Sequence, residues 1–228
     1  MKNIILFILL AFSCSAKAQI VRPFIGGSAY LQWDFEKSSY AGANAGAVFK
    51  IKPYFMPELE CSYFFGGIED ATKYKFGTPI IQTELYIRSV SSLNFSFCPK
   101  ICIGNKRDGA NYLVILPRYT ISKIEAKGNF VEFNENGTSK NNYEFEKSTQ
   151  HSVGLGIGLD IPLSGDNSNS ICLIIYYNGV NLGKVINNLE HSSDYKFNSN
   201  GVLGAGVNYY FSFRKSSKPI KYKTPDPL

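Results

Sequence analysis

Residues 151–163 read His-Ser-Val-Gly-Leu-Gly-Ile-Gly-Leu-Asp-Ile-Pro-Leu, and their strict alternation is the feature that decides the fold. Large apolar side chains occupy every second position from Val153 to Leu163, with three glycines, an aspartate and a proline between them and Ser152 just before. Because successive side chains of a β-strand point to opposite faces, this pattern predicts a strand with one apolar and one non-apolar face. A water-exposed face normally carries Thr, Lys, Glu and Arg. Glycine there indicates a crowded interior, so the apolar face is predicted to point outward.

The same alternation recurs in eight segments separated by turn-forming residues. Their approximate ranges are 21–34, 41–52, 57–66, 80–98, 111–124, 148–163, 170–182 and 199–213. Several are longer than the roughly 9–11 residues with which a tilted strand crosses a bilayer. Short turns alternate with longer polar links, which is typical of periplasmic turns and external loops. The sequence therefore predicts an all-β fold, an eight-stranded antiparallel up-and-down transmembrane β-barrel. A soluble lipocalin-like ligand-binding barrel, with the opposite facing, is the structural alternative.

The start of the chain predicts export. Residues 1–18 combine a positive start, a short apolar run and the small-x-small sequence Ala16-Lys17-Ala18, which together indicate a cleaved signal peptide. A lipoprotein signal at Cys14 is the alternative, but Phe12 stands where such signals have a small residue. No later stretch approaches the ~20 apolar residues of a membrane helix.

The end of the chain is basic. The formal net charge of the whole chain is +6, but the excess lies in the signal peptide and in residues 214–228. Residues 19–213, the predicted barrel, are balanced in charge. We expect residues 214–228 to be an extended periplasmic tail. Either this tail is solvated and has no partner, or it contacts an acidic periplasmic partner or a cell-wall polymer. No basic patch is interleaved with aromatic residues, so no nucleic-acid partner is expected.

The last segment ends in alternating aromatic residues, Tyr209, Phe211 and Phe213. Together with the signal ending at Ala18-Gln19 and the glycine-rich barrel pattern, this resembles the small outer-membrane β-barrel domains of Bacteroidota, including the PorT-like group and the OmpA–OmpX type. The resemblance covers nearly the whole exported chain. It implies residence in the outer membrane of a Gram-negative bacterium, in contact with outer-membrane lipid and lipopolysaccharide. It also implies that the three aromatic residues are the signal read by the barrel-assembly machinery, although here fifteen residues follow Phe213.

Charges of both signs occupy positions of the predicted strands that should face the lumen. Because an unpaired buried charge is costly, we expect these side chains to form an ion-pair network that plugs the barrel. Arg88 is expected to pair with Glu58 or Glu60, and Glu84 with Arg118. The predicted network comprises Lys50, Glu58, Glu60, Glu84, Arg88, Arg118 and Asp160.

Catalysis is not predicted, although some outer-membrane barrels modify lipid A. Such an enzyme needs a nucleophile, a base and an acid within hydrogen-bond reach. The only candidates are His151-Ser152 and the run His191-Ser192-Ser193-Asp194, and adjacent strand residues point to opposite faces. We therefore expect a structural or interaction role, through the external loops and the periplasmic tail, with no cofactor. A lipid A-modifying enzyme is the functional alternative.

Two further expectations concern cysteines and loops. Cys61, Cys98, Cys102 and Cys172 follow the signal peptide, and either all four are reduced or Cys98 and Cys102 form a local bridge. A metal site is not expected, because neither His nor further Cys lies near that pair. The longest link, residues 125–147, is predicted to be external and mobile, or to extend its hairpin above the membrane.

Overall fold

A computed structural model describes residues 21–32, 38–52, 54–77, 81–104, 111–134, 136, 138–163, 169–194, 196 and 201–211. It contains eight strands, β1 (Val21–Gln32), β2 (Ser38–Phe49), β3 (Phe55–Lys75), β4 (Ile81–Ile103), β5 (Tyr112–Phe133), β6 (Ser139–Pro162), β7 (Ser170–Asn178) and β8 (Val202–Tyr210). Each strand pairs antiparallel with the next, and β8 pairs with β1 to close the barrel. The predicted fold is confirmed. The predicted signal peptide and tail lie outside the described residues.

The facing of the strands also follows the sequence alternation. On β6, Val153 is 71% exposed and Ile157 is 50% exposed, whereas Ser152 and Asp160 on the other face are buried. On β4, Phe95 and Phe97 are similarly exposed. Apolar side chains on the outside and polar ones on the inside are the reverse of what a soluble barrel needs, and match a barrel surrounded by lipid.

Inward glycines leave room for inward aromatic rings. A Cβ atom on Gly204 would lie 2.2 Å from Cδ1 of Tyr30. A Cβ atom on Gly46 would lie 2.6 Å from Cζ of Phe24 and 2.2 Å from the carbonyl oxygen of Leu59. These distances are far below van der Waals contact, so both glycines are required by the packing of the narrow interior.

The strands differ in length, and the longer ones form a sheet that extends beyond the closed barrel. Strands β3 to β6 have 21 to 24 residues, whereas the other four have 9 to 12. The four long neighbours therefore continue as a sheet beyond the closed barrel, at the end away from the start of β1 and the end of β8; we call this the extended end. Residues 125–147 lie largely in this sheet, because β5 and β6 stay paired up to Phe133 and Ser139. Of the two predicted states of this link, the extended hairpin is the one observed.

The connection between β7 and β8 is helical at the extended end. It contains α1 (Leu182–Ile186) and a 3-10 helix (Glu190–Asp194). Asn181 caps α1 by accepting a hydrogen bond from the backbone N–H of Lys184 at 2.9 Å. In the described part of the chain, no helix is long and apolar enough to cross a membrane. We call residues 180–194 the cap.

Candidate functional site

The first cluster of charges inside the barrel is centred on Lys100, which is buried. Its Nζ lies 3.1 Å from Oε1 of Glu58 on β3 and 3.2 Å from Oδ2 of Asp160 on β6. The hydroxyl of Tyr210 donates to the same Glu58 oxygen at 2.9 Å, and Lys100 Nζ lies 4.0 Å from the centroid of the Tyr210 ring. The cluster thus joins strands that are not neighbours, across the interior.

The second cluster pairs Arg118 on β5 with Glu60 on β3. The guanidinium also lies over the Tyr176 ring, 4.8 Å from its centroid. Asn44 donates to Glu60 at 3.4 Å and to Asn208 at 2.8 Å, so amide side chains extend the cluster towards β8. The Glu60 carboxylate is buried, and the guanidinium stabilises its charge.

Three predicted members of the network lie elsewhere. Glu84 lies in the sheet of the extended end and pairs with Lys73 at 3.1 Å, not with Arg118. Arg88 lies opposite Ile68, whereas Glu60 lies opposite Ser96. Arg88 and Ser96 are eight residues apart on β4, which is about 26 Å at ~3.3 Å per residue.

The predicted pairing of Arg88 with Glu58 or Glu60 is therefore wrong. Glu58 is still farther along the ladder, opposite Cys98. Lys50 follows the end of β2 at Phe49 and is exposed, so the prediction that it faces the lumen is also wrong. The alternation assigned faces correctly to the strands, but it could not show how far each strand runs beyond the closed barrel.

Sequence reasoning missed Lys100, Arg22 and Tyr210. Arg22 Nη2 donates to Ser170 Oγ at 2.8 Å, and its Cζ lies 5.2 Å from the centroid of the Tyr210 ring. Lys100 shares its parity with the inward Cys98, so the signal is present in the sequence. The predicted fourth segment ends at residue 98, two residues too early to include Lys100.

At the extended end, the cap packs on the inner side of the long strands. Leu182, Val185 and Ile186 are buried, and α1 contacts β4, β5 and β6. The strands contribute an apolar surface that includes Tyr86 and Ile124. Alternating apolar residues on the inner face of β5 explain why this stretch forms a strand, although its outer face is charged.

Polar contacts fix the cap to the sheet. Glu144 on β6 contacts Nδ1 of His191 and accepts the backbone N–H of the same residue at 3.2 Å. The His191 ring stacks on Phe130, with centroids 4.1 Å apart. Gln150 and the backbone of Asn181 exchange two hydrogen bonds, at 2.8 and 3.1 Å.

Tyr86 is the central polar group of this interface. Its hydroxyl donates to Glu144 Oε2 at 3.2 Å and lies 3.3 Å from Ser192 Oγ. Burial raises the pKa of Tyr86 to about 12, so the hydroxyl remains protonated and able to donate at neutral pH. Ser192 in turn donates to the carbonyl oxygen of Ile186 at 2.6 Å.

Of the residues considered for catalysis, those whose side chains the structure describes are not arranged as a nucleophile and its base; the side chains of Ser193 and Asp194 lie outside the described part. His151 faces outward and its Nδ1 lies 2.7 Å from the Tyr119 hydroxyl, whereas Ser152 faces inward and donates to Asn178 at 3.1 Å. His191 contacts Glu144, but Ser192 bonds the Ile186 carbonyl rather than the histidine ring.

Cys61, Cys98, Cys102 and Cys172 are free thiols. Cys98 and Cys102 both face inward on β4 and are four residues apart, about 13 Å at ~3.3 Å per residue. A disulfide needs Cα atoms within roughly 7 Å, so the local bridge is excluded by the strand geometry. Among the described residues, no group of three or more His, Cys, Asp or Glu side chains could hold a metal ion.

A closed antiparallel ladder with an apolar outside and a charged inside is the architecture of outer-membrane β-barrels. Solved structures of that kind resemble this chain. Neisserial surface protein A is 12% identical to this chain; the match covers 82% of this chain and 94% of the chain of that protein, with a TM-score of 0.41. A major outer membrane protein from Thermus thermophilus is 13% identical, with coverage of 84% and 99% and a TM-score of 0.48. Ail, the attachment invasion locus protein of Yersinia pestis, is 12% identical, with coverage of 84% and 97% and a TM-score of 0.38.

No family model and no curated protein matches the sequence. Membership of the PorT-like group therefore stays a prediction. Likeness as distant as that of the three solved barrels carries no argument about what this chain binds. The candidate sites follow from its own residues: a paired-charge interior and an ordered, capped sheet at the extended end.

Proposed function

We propose that this protein is a non-enzymatic outer-membrane β-barrel with a plugged lumen, which holds a rigid binding surface at the cell exterior. In such barrels both termini lie in the periplasm; β1 begins and β8 ends at the opposite end of this barrel, so the extended end faces outward. The observation that carries the proposal is the cap, whose apolar side chains are buried against β4 to β6. A barrel can cross a membrane without such a cap. The ordered cap therefore indicates a function beyond spanning the membrane.

The plugged lumen is supported by the two charge clusters. Lys100 is bound by carboxylates from two strands, β3 and β6, and Arg118 of β5 is bound by Glu60, which is also on β3. An eight-stranded barrel has an interior that side chains just fill, and aromatic rings such as Tyr210 add to the filling. In planar bilayers the purified protein is expected to show no conductance steps; stable steps would contradict the plug.

The binding surface is testable with a photo-crosslinking amino acid. Tyr143, on the outer face of the extended sheet, is 79% exposed, and Tyr54, in a short turn at the opposite end, is 58% exposed. A probe at Tyr143 is expected to give discrete crosslinked species in living cells that a probe at Tyr54 does not give. Crosslinks that are absent at Tyr143, or identical at both positions, would contradict a surface role for the extended end.

The proposal includes two contacts that involve residues outside the described part. The basic tail, residues 214–228, would bind an acidic periplasmic partner or a cell-wall polymer. Truncation after Phe213 should abolish crosslinks to that partner while leaving a folded barrel.

Tyr209, Phe211 and Phe213 would be read by the barrel-assembly machinery. Replacing all three by serine should lower the amount of folded protein in the outer membrane, and an unchanged amount would refute this role.

A further inference from the structure

The part of β6 at the extended end has a partner strand on one side only. It pairs with β5 from Ser139 to Asp160, whereas β7 begins to pair with it only at Gly154. Between residues 139 and 152, no other part of the described chain makes a backbone hydrogen bond to β6. We call residues 139–147, on the side away from β5, the free edge. Such an edge exposes a row of N–H and C=O groups that can pair with a further strand.

The direction of these backbone groups follows from the covered part of the strand. The Val153 carbonyl accepts a hydrogen bond from Gly179 N–H at 3.0 Å, so this carbonyl points away from β5. The β5–β6 register is uninterrupted, and the backbone groups of alternate strand residues point to the same side. The N–H and C=O groups of Tyr143 and Phe145 therefore also point away from β5. The free edge thus offers its hydrogen-bonding groups at the odd-numbered residues, whose side chains are exposed on the outer face.

The charges of the free edge complement each other when a second copy pairs with it in antiparallel orientation. With Tyr143 opposite Tyr143 of the second copy, Lys140 lies opposite Glu146, and the two-fold symmetry forms this pair twice. A register centred on Phe145 instead places Glu144 opposite Glu146 twice, and one centred on Glu144 places that residue opposite itself. Opposite charges directly across two strands stabilise the pairing, whereas like charges destabilise it. Charge therefore favours the register centred on Tyr143.

One other register also brings unlike charges together. Centred on Asn142, it places Lys140 opposite Glu144 of the second copy. Glu144 is already bound by His191 and by the Tyr86 hydroxyl beneath the cap. This register also pairs only seven residues of the free edge, 139–145, whereas the one centred on Tyr143 pairs nine, 139–147. The longer pairing, which leaves the cap contacts intact, is therefore the better one.

Antiparallel pairing determines how the two barrels are arranged. Every copy in one membrane has β6 running from the extended end towards the end where β1 begins, so two such strands side by side are parallel. In the antiparallel pair the second barrel is turned end over end. Its membrane must then face the first one, so the pairing joins two opposing membranes.

We propose that the free edge of β6 binds the same edge of a second copy of this chain in an opposing membrane, so that the protein is a homophilic tether between cells. Main-chain hydrogen bonds at the odd-numbered residues provide affinity, as in other recognition by strand addition. The two Lys140–Glu146 pairs set the register and select the partner. This inference rests on the proposed binding surface at the cell exterior, and it identifies the partner of that surface as the protein itself.

The register is tested by exchanging the charges and measuring the aggregation of proteoliposomes. Lys140→Glu and Glu146→Lys each place like charges opposite one another twice, so either variant alone should aggregate at least about tenfold less than the unmodified protein. Mixing the two kinds of proteoliposome should restore aggregation, because a Lys140→Glu copy and a Glu146→Lys copy again form both pairs. Lys123→Glu is the control, since it makes the same charge change at an exposed residue of β5 and should aggregate within about twofold of the unmodified protein.

The two-fold centre is tested by disulfide crosslinking in a Cys61→Ser background, which removes the exposed native thiol. Tyr143→Cys should give a covalent dimer, because Cα atoms of a hydrogen-bonded pair lie about 5.5 Å apart, within disulfide range. Phe145→Cys is the matched control on the same face. It lies opposite Asn141 of the second copy, so its two thiols are about 13 Å apart along the ladder at ~3.3 Å per residue. The folded band on a detergent gel confirms that each variant is intact.

The expected result is a dimer at Tyr143→Cys alone and aggregation restored only in the mixture. A dimer at both positions or at neither, or a mixture that aggregates no more than its components, would overturn the proposal. Failure here is distinguishable from failure of the surface role. A photo-crosslink from Tyr143 to a different protein, with none to a second copy, would contradict the homophilic pairing and leave the surface role in place, whereas the absence of any crosslink there would contradict both.

Discussion

Inside the barrel, each buried charge of the two clusters is stabilised by one or two identified partners. Arg118 and Glu60 form such a pair, as do Lys100 and its two carboxylates. Removal of one partner leaves the other charge without compensation in a region that excludes water. Substitution of an inward-facing charge is therefore expected to lower the stability of the barrel much more than substitution of an outward-facing one.

Arg118→Ala is expected to destabilise the barrel by about 3–5 kcal/mol, because Glu60 remains buried without its cation. The measurement is the temperature at which the folded band converts to the unfolded band on a detergent gel. Lys73→Ala is the control, since the Lys73–Glu84 pair is partly exposed and should contribute less than about 1 kcal/mol. Equal effects of the two substitutions would mean that the interior pair is solvated.

Gly46→Ala should destabilise the barrel by roughly 1–3 kcal/mol, because the new methyl group meets the Leu59 carbonyl and the Phe24 ring. Gly27→Ala is the matched control: Gly27 faces outward, and its nearest neighbour to a new Cβ is 3.7 Å away. The same gel assay reports both. A stable Gly46→Ala barrel would show that the interior is less crowded than its rings require.

Which side chains point into the barrel could be predicted from the sequence, because successive residues of a strand point to opposite faces. The inward positions of Glu58, Glu60, Arg118 and Asp160 follow from parity alone. Their partners do not, because a strand's parity carries no information about its register or its length. That is why Lys100 was missed and Arg88 was paired wrongly.

At the level of elements, the long hairpins are the main departure from a minimal barrel. The sequence of β5 from Lys123 to Lys127 alternates between charged and apolar residues, so it can be mistaken for a polar loop. Its apolar positions acquire a role only when the cap covers them, and that contact comes from a segment about sixty residues away in the chain. Local pattern could therefore predict an extended hairpin, but not the capped body.

Proteinase K added to whole cells is expected to cut first at residues 134–138, the turn of the β5–β6 hairpin, where Asn134, Asn136 and Thr138 are exposed. Residues 123–132 should resist, because they are paired on both sides. Mass spectrometry of the released peptides gives the sites. Cleavage only after the cells are opened would reverse the topology, and cleavage throughout 125–147 would contradict the extended sheet.

Tyr86→Phe is expected to loosen the cap without unfolding the barrel, because it removes the hydroxyl contacts to Glu144 and Ser192 but keeps the ring. At about 0.5–1.5 kcal/mol for each lost bond, amide exchange in residues 181–194 should accelerate roughly tenfold. Hydrogen exchange with mass spectrometry measures this, and Tyr143→Phe is the exposed control. Unchanged exchange would show that apolar packing alone holds the cap.

For the whole molecule, the account depends on one physical distinction. The closed ladder is compatible with either a soluble or a membrane barrel, and only the exposed apolar band distinguishes them. The orientation assigned to the plug and to the cap assumes that this band is covered by lipid. A direct measure of lipid contact therefore tests the central claim.

The measurement uses a single tryptophan placed on the band in a Trp33→Phe background. Phe95→Trp puts the indole on the exposed face of β4, and the folded protein is reconstituted with phospholipids brominated on their acyl chains. The account predicts strong quenching at Phe95→Trp and little quenching for a tryptophan at Tyr54, which lies in a short turn at the barrel end. Fluorescence at Phe95→Trp that the brominated chains leave unchanged would contradict a membrane-spanning barrel.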